Sequence, residues 1–179
     1  MLDPAMVSDL EQAALGVADP AQATARVRAA LAPWLARSLP PTHTTPGSGC
    51  YARHLLHCDP QGRFCAVAIV LTPGQSTPVH NHTTWGVIGV VTGREREIRY
   101  RRGDDGALVE LGTGFNLPGE MSIVIPPRDI HRIEGAAEDG GLTISIHVYG
   151  GRNDKVTGEV FEAAGVPVVG PCKTALAPQ

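Results

Sequence analysis

From residue 51 onward the chain falls into short apolar or alternating runs, punctuated by Gly, Pro, Asn and Asp, which is the rhythm of strands and turns. The runs predict strands over 51–58, 63–71, 78–83, 86–92, 95–102, 107–111, 120–125, 130–134, 142–149 and 156–161. Phe64-Cys65-Ala66-Val67-Ala68-Ile69-Val70-Leu71 is apolar throughout. Leu142-Thr143-Ile144-Ser145-Ile146-His147-Val148-Tyr149 alternates instead, so Ser145, His147 and Tyr149 share one face of a strand. Gly103-Asp104-Asp105-Gly106 predicts a hairpin turn, and Gly112 to Gly119 an irregular loop. Arg94, Glu95, Arg96, Glu97 and Arg101 read as a solvated strand face with modest cross-strand pairing. Upstream the period changes. Val27, Ala30, Leu31, Trp34 and Leu35 recur close to helical spacing, which predicts helix from Asp9 to Leu39 with Pro20 near a helix start. Residues 1–48 therefore read as a helical segment and linker, 49–165 as the strand-rich unit, and 166–179 as a Pro/Ala-rich tail expected to be poorly ordered.

Composition narrows the class. A chain of 179 residues suits one domain with a sizeable core, and 21 glycines with 15 prolines favour an all-β barrel over a helical bundle. The net charge of −3, with no basic run longer than Arg101-Arg102, argues against nucleic-acid binding. No apolar run approaches membrane-spanning length and the first residues lack a signal-peptide layout, so a cytoplasmic protein is expected. Cys50, Cys58, Cys65 and Cys172 show no Cys-x-x-Cys spacing; free thiols in a reducing compartment are the expectation, with Cys65 a small buried hydrophobe.

The stretch that carries chemistry is Thr77-Pro78-Val79-His80-Asn81-His82-Thr83-Thr84-Trp85-Gly86. In an extended segment His-x-His aims two imidazoles at one point, as a shared metal ion requires. A third ligand must come from elsewhere. Counted by spacing alone, His131, in Pro126-Pro127-Arg128-Asp129-Ile130-His131, and His147 compete for that place, whereas His43, His54 and His57 lie upstream. Trp85 either packs over the metal pocket or plugs a barrel end; the plug is expected.

His-x-His followed downstream by Pro-x-x-x-x-His resembles the two half-motifs of the cupin superfamily. The resemblance implies a mainly β fold, a jelly-roll double-stranded β-helix carrying the N-terminal helices. Many cupins place a glutamate ligand after the second histidine; here Thr83 to Val87 offers no carboxylate. The chain then resembles, more narrowly, the thiol dioxygenases, the family of cysteine dioxygenase and 3-mercaptopropionate dioxygenase. The match is carried by Tyr51-Ala52-Arg53-His54-Leu55-Leu56, the His80/His82 motif, Asp129-Ile130-His131 and Ser145-Ile146-His147-Val148-Tyr149. It implies Fe(II) held by His80, His82 and His131, an outer relay of Ser145, His147 and Tyr149, and Arg53 forked onto a substrate carboxylate. Mammalian-type members crosslink the relay tyrosine to a cysteine where this chain has Gly86, so the resemblance is to the bacterial branch.

The implied reaction joins a small carboxylated thiol, L-cysteine first, to O2 and yields a sulfinate. In 3-mercaptopropionate dioxygenases a downstream arginine anchors the substrate; Arg152 and Lys155 are the residues that could replace it here. A 3-mercaptopropionate or other small-thiol dioxygenase, a zinc or manganese cupin enzyme, and a non-catalytic binder of a small ligand stay open as alternatives. The sequence sets no oligomeric state, and a homo-oligomer is compatible with it.

Overall fold

The computed structural model describes residues 2–152, 156–163, 166 and 169–172. Two helices come first. In α1 (Pro4–Ala14) the Asp3 side chain accepts a hydrogen bond from Ala5 N–H, and in α2 (Pro20–Leu31) Asp19 accepts from Ala21 and Gln22. Each cap is followed by proline at the first helical position, where its fixed φ fits and its missing N–H costs nothing. The single helix expected from Asp9 to Leu39 is thus corrected to two. Gly16, at φ 68°, breaks the run after α1, and Asp19 starts the next helix. Beyond α2 the chain tightens into a 3-10 turn, Ala32–Trp34. The expected apolar stripe holds: Val27, Leu31, Trp34 and Leu35 are all buried.

Ten strands follow: β1 (Ala52–Cys58), β2 (Phe64–Leu71), β3 (Val79–His82), β4 (Gly86–Thr92), β5 (Glu95–Arg102), β6 (Leu108–Asn116), β7 (Met121–Val124), β8 (His131–Gly135), β9 (Thr143–Gly150) and β10 (Thr157–Phe161). They form two antiparallel five-stranded sheets, β1-β2-β9-β4-β7 and β10-β3-β8-β5-β6. Neighbours in each sheet are mostly distant in sequence, the winding of a double-stranded β-helix. The protein is mainly β and of the cupin architecture, with two helices added at the N-terminal end.

The first sheet is covered on both faces, which explains why β2 reads as a continuous apolar run. Its outer side, Phe64, Ala66, Ala68, Val87, Ile146 and Val148, packs against Met6, Leu10, Val27, Leu31, Trp34 and Leu35. Its inner side contributes Cys65, Val67, Ile69, Leu71, Ile88 and Tyr149 to the barrel interior. On β9 the alternation sorts residues accordingly: Ile146 and Val148 go under the helices, while Ser145, His147 and Tyr149 face the barrel.

Three other expectations change. The hairpin at Gly103–Gly106 forms, but β6 runs to Asn116, so much of the predicted loop from Gly112 is strand; pairing with β5, from Arg102↔Leu108 to Glu95↔Asn116, overrides the low strand preference of its glycines. Cys50 and Cys172 form a disulfide across 122 residues, while Cys58 and Cys65 are in no disulfide among the described residues. The backbone N–H of Cys172 donates to Tyr51 O, so Cys172 lies beside the start of β1, a proximity no spacing rule exposes. Trp85 packs with the helix-side core and against Gly150, away from the barrel interior. Lys155 and residues 173–179 lie outside the described residues. Among the described residues no helix is long and apolar enough to cross a membrane.

Candidate metal centre and its relay

Strand pairing brings the histidines together. β3 and β8 are antiparallel neighbours with His80 directly opposite His131, and His82 follows on the same face of β3. The three rings sit with centroids 4.8, 4.9 and 5.1 Å apart. One nitrogen of each falls within 4.8 Å of the others, and no carboxylate belongs to the group.

Each ring is oriented from behind. His80 Nδ1–H donates to Pro78 O at 3.0 Å, and His131 Nδ1–H donates to Glu97 Oε1 at 2.8 Å. Asp129 accepts the His82 backbone N–H at 2.5 Å, and its Oδ2 lies 3.4 Å from His82 Nδ1. In His80 and His131 the engaged Nδ1 leaves Nε2 as the ligand atom, the second-layer arrangement that metal-binding histidines usually have. Both ring nitrogens of His82, Nδ1 and Nε2, are buried with no hydrogen-bond partner among the described residues. An orphaned, buried imidazole nitrogen between two similar rings is what an absent cation would satisfy, so the residues fit a metal.

Protonation agrees with this. Burial, with the neighbouring His131 and His82 reinforcing it, holds His80 well below its ordinary value. Burial also lowers His131, despite the opposing hydrogen bond to Glu97. Neutral imidazole is the form that ligates. Glu97 stays ionised. Burial pushes it up, but the His131 hydrogen bond and the Arg99 guanidinium outweigh that and leave it at about 2.

The β9 residues form a chain of hydrogen bonds. Ser145 Oγ is 2.9 Å from His147 Nε2, and His147 Nδ1 is 2.8 Å from the Tyr149 hydroxyl. Both nitrogens of His147 are therefore engaged, and the competition for the third place at the cluster goes to His131. The Tyr149 ring stacks on His82 at 5.4 Å, and burial raises its phenol well above the usual value. Gly86 pairs with Tyr149 across β4 and β9, and a Cβ there would fall 2.7 Å from the tyrosine ring. Glycine is what leaves room for the phenol at this position.

His80, His131, His147 and Tyr149 line one cavity of about 230 Å³, together with Tyr51 and Arg53 among others. Arg53 is half-buried on β1, opposite the inward-facing Ile69. Arg152 packs beside Gly62 in the β1–β2 turn and does not line this cavity. His43, His54 and His57 stand apart; His54 Nε2 bonds Thr45 O at 2.8 Å, and His57 lies against Phe64.

Two acids at the site were read from sequence as surface. Glu95 and Glu97 are buried, Glu97 behind His131 and Glu95 behind Ser145, whose Oγ is 2.7 Å from Glu95 Oε2. The available signal was their i, i+2 spacing, which puts both on one face of β5. The arginines interleaved with them disguised that face as solvated. Asp129 was quoted in a motif without a role, and its hold on His82 appears only in the fold.

Burial pushes the Glu95 carboxyl up to about 7; the Ser145 hydrogen bond opposes the shift and the Glu97 charge adds to it. Between 4.5, its ordinary value, and about 7, the folded protein holds a proton that the unfolded chain has released. Stability carried by this group is therefore lost as pH rises through that window, by about 3 kcal/mol in all. Glu95→Gln is expected to flatten this component, which is read as the difference between wild-type and variant urea midpoints from pH 5 to 8. A difference that does not vary with pH would refute it.

No family model matches the chain. It is similar to several solved structures of low identity. An RmlC-like cupin protein from Desulfovibrio desulfuricans is 15% identical, over 64% of this chain and 94% of that one, with a TM-score of 0.46. A protein with a double-stranded β-helix domain from Klebsiella pneumoniae is 19% identical over 65% and 86%, TM-score 0.47. A cupin 2 domain-containing protein from Halorhodospira halophila is 16% identical over 68% and 75%, TM-score 0.47.

Proposed function

We propose that this chain is a metal-dependent dioxygenase of small carboxylated thiols, with His80, His82 and His131 as ligands and L-cysteine as the first substrate to test. The observation that carries the reading is the buried Ser145–His147–Tyr149 chain beside an all-histidine cluster. A protein that only binds a small molecule has no use for a phenol held by two further buried groups. Iron held by the three histidines would supply Lewis acidity toward the substrate sulfur and the one-electron chemistry that dioxygen requires. The overall change is RSH + O2 → RSO2H, with both oxygen atoms going to sulfur.

The chain's own residues bind and polarise. The cavity of about 230 Å³ suits a substrate of a few heavy atoms. Arg53 lines it, and its guanidinium can donate two parallel hydrogen bonds to a carboxylate. Tyr149 offers an O–H donor to negative charge developing on oxygen, and its raised phenol keeps that proton at neutral pH. Ile69, Ile133 and Val156 supply apolar walls that limit water.

The test is anaerobic Fe(II) loading followed by oxygen uptake and sulfinate detection with cysteine, 3-mercaptopropionate, cysteamine and mercaptosuccinate. Uptake with none of these, or tight stoichiometric zinc with no iron, favours a second reading. Three histidines are also a zinc ligand set. Substrate choice is tested at Arg53. Losing a charge-assisted bidentate contact costs about 1.5–3 kcal/mol, so Arg53→Ala should raise KM for the carboxylated thiol roughly ten- to a hundred-fold. Cysteamine, which has no carboxylate, should barely respond. Equal losses on both thiols would show that Arg53 holds the barrel rather than the substrate.

A further inference from the structure

The Ser145–His147–Tyr149 chain does not end at Ser145. Its Oγ also contacts Glu95 Oε2 at 2.7 Å, shorter than its 2.9 Å contact with His147, and Glu95 is fully buried. A hydroxyl has one proton to give. Ser145 cannot donate to Glu95 and to His147 at once, so each choice fixes the rest of the chain.

With Glu95 ionised, Ser145 donates to it. His147 must then donate from Nε2 to Ser145 and accept at Nδ1, so the Tyr149 proton points back to His147. With Glu95 protonated, the carboxyl donates to Ser145 and Ser145 donates to Nε2. His147 then carries its proton on Nδ1, donates to the Tyr149 oxygen, and the Tyr149 proton is released toward the cavity. The two arrangements differ by one proton, the one on Glu95.

We propose that Glu95 is the fourth member of the relay, a positioning residue that selects the direction of its hydrogen bonds and hence whether Tyr149 can donate into the cavity. The proposal rests on the functional reading above only for what the donated proton is used for. The fold supports it from three sides. Glu95 lies on β5, between Asn116 on β6 and Gly135 on β8, and faces Ser145 across the interior on β9. The charged neighbour facing it is Glu97 on its own strand, itself engaged by His131 and Arg99; Arg94 turns outward to Glu138. Burial places the Glu95 transition near neutrality, within reach of physiological pH.

Nitrogen-15 NMR of the histidine-labelled protein reads the prediction without turnover, first as purified and again loaded with diamagnetic Zn(II). The His147 signal is assigned by its loss in a His147 variant. In the wild type the dominant His147 tautomer should change from Nδ1–H at pH 5.5 to Nε2–H at pH 8.5 (both on the order of a pH unit or more from the transition). Glu95→Gln, and independently Ser145→Ala, should hold one tautomer across the range. If thiol oxidation is present, its kcat should also fall as pH rises through the same transition in the wild type and lose that limb in Glu95→Gln. A wild-type tautomer that ignores pH, or a switch that survives Glu95→Gln, overturns the proposal. A switch observed in a protein that oxidises no thiol upholds the relay and overturns the functional reading alone.

Discussion

Alanine in place of His131 is expected to leave a folded barrel that no longer holds metal. The ring is buried between β3 and β5 partners, and its Nε2 is one of three nitrogens available at the cluster. Partners behind metal ligands are worth roughly 10- to 100-fold in affinity, so removing a ligand itself should cost more than about a hundred-fold. Metal analysis after dialysis, with circular dichroism to confirm the fold, measures this; activity should fall with occupancy. His147 cannot substitute, because Ser145 and Tyr149 occupy both of its nitrogens. Full occupancy in His131→Ala would remove the centre assigned here. His80→Ala and His82→Ala should behave alike, since all three rings converge on one point.

Phenylalanine at position 149 should separate chemistry from metal binding. The substitution keeps the ring that stacks on His82 and deletes only the hydroxyl that His147 orients. Metal content is expected to match the wild type, while turnover falls on the order of ten- to a thousand-fold, the range for losing one donor to a developing oxyanion. Because the deleted group is a donor and not a carboxylate anchor, the loss should appear in kcat more than in KM. Normal turnover in Tyr149→Phe would reduce the relay to a structural element. The two variants together discriminate: one empties the centre, the other leaves it loaded and slow.

Much of this site was legible because strand geometry is written locally. His80 and His82 share a face by the period of two, as do Ser145, His147 and Tyr149, and the pairing of each set follows once its segment is a strand. The unbroken apolar run of β2 marked a strand, but that helices cover its outer face appears only in the fold. Other features depend on which strand lies beside which. His80 meets His131 only because β3 pairs with β8, and the choice of His131 over His147 follows from where the side chains of β9 find partners. Glu95 and Glu97 were misread because interleaved charges look alike on a solvated edge and on a strand whose inner face lines a polar cavity. The disulfide between Cys50 and Cys172 required the chain's far end to return to β1.

The sequence by itself determined the strand-and-turn rhythm, the helical stripe, the two histidine half-motifs and the relay face, since each depends only on periodicities of a few residues. The tertiary structure decided between His131 and His147, which spacing left open, and it alone placed the acids behind Ser145 and His131, the Cys50–Cys172 link and the division of the N-terminal helix. Antiparallel pairing joins segments many residues apart, and burial, which turns a surface-like glutamate into a hydrogen-bonding partner of a histidine or serine, is a property of the packed barrel rather than of any stretch of chain.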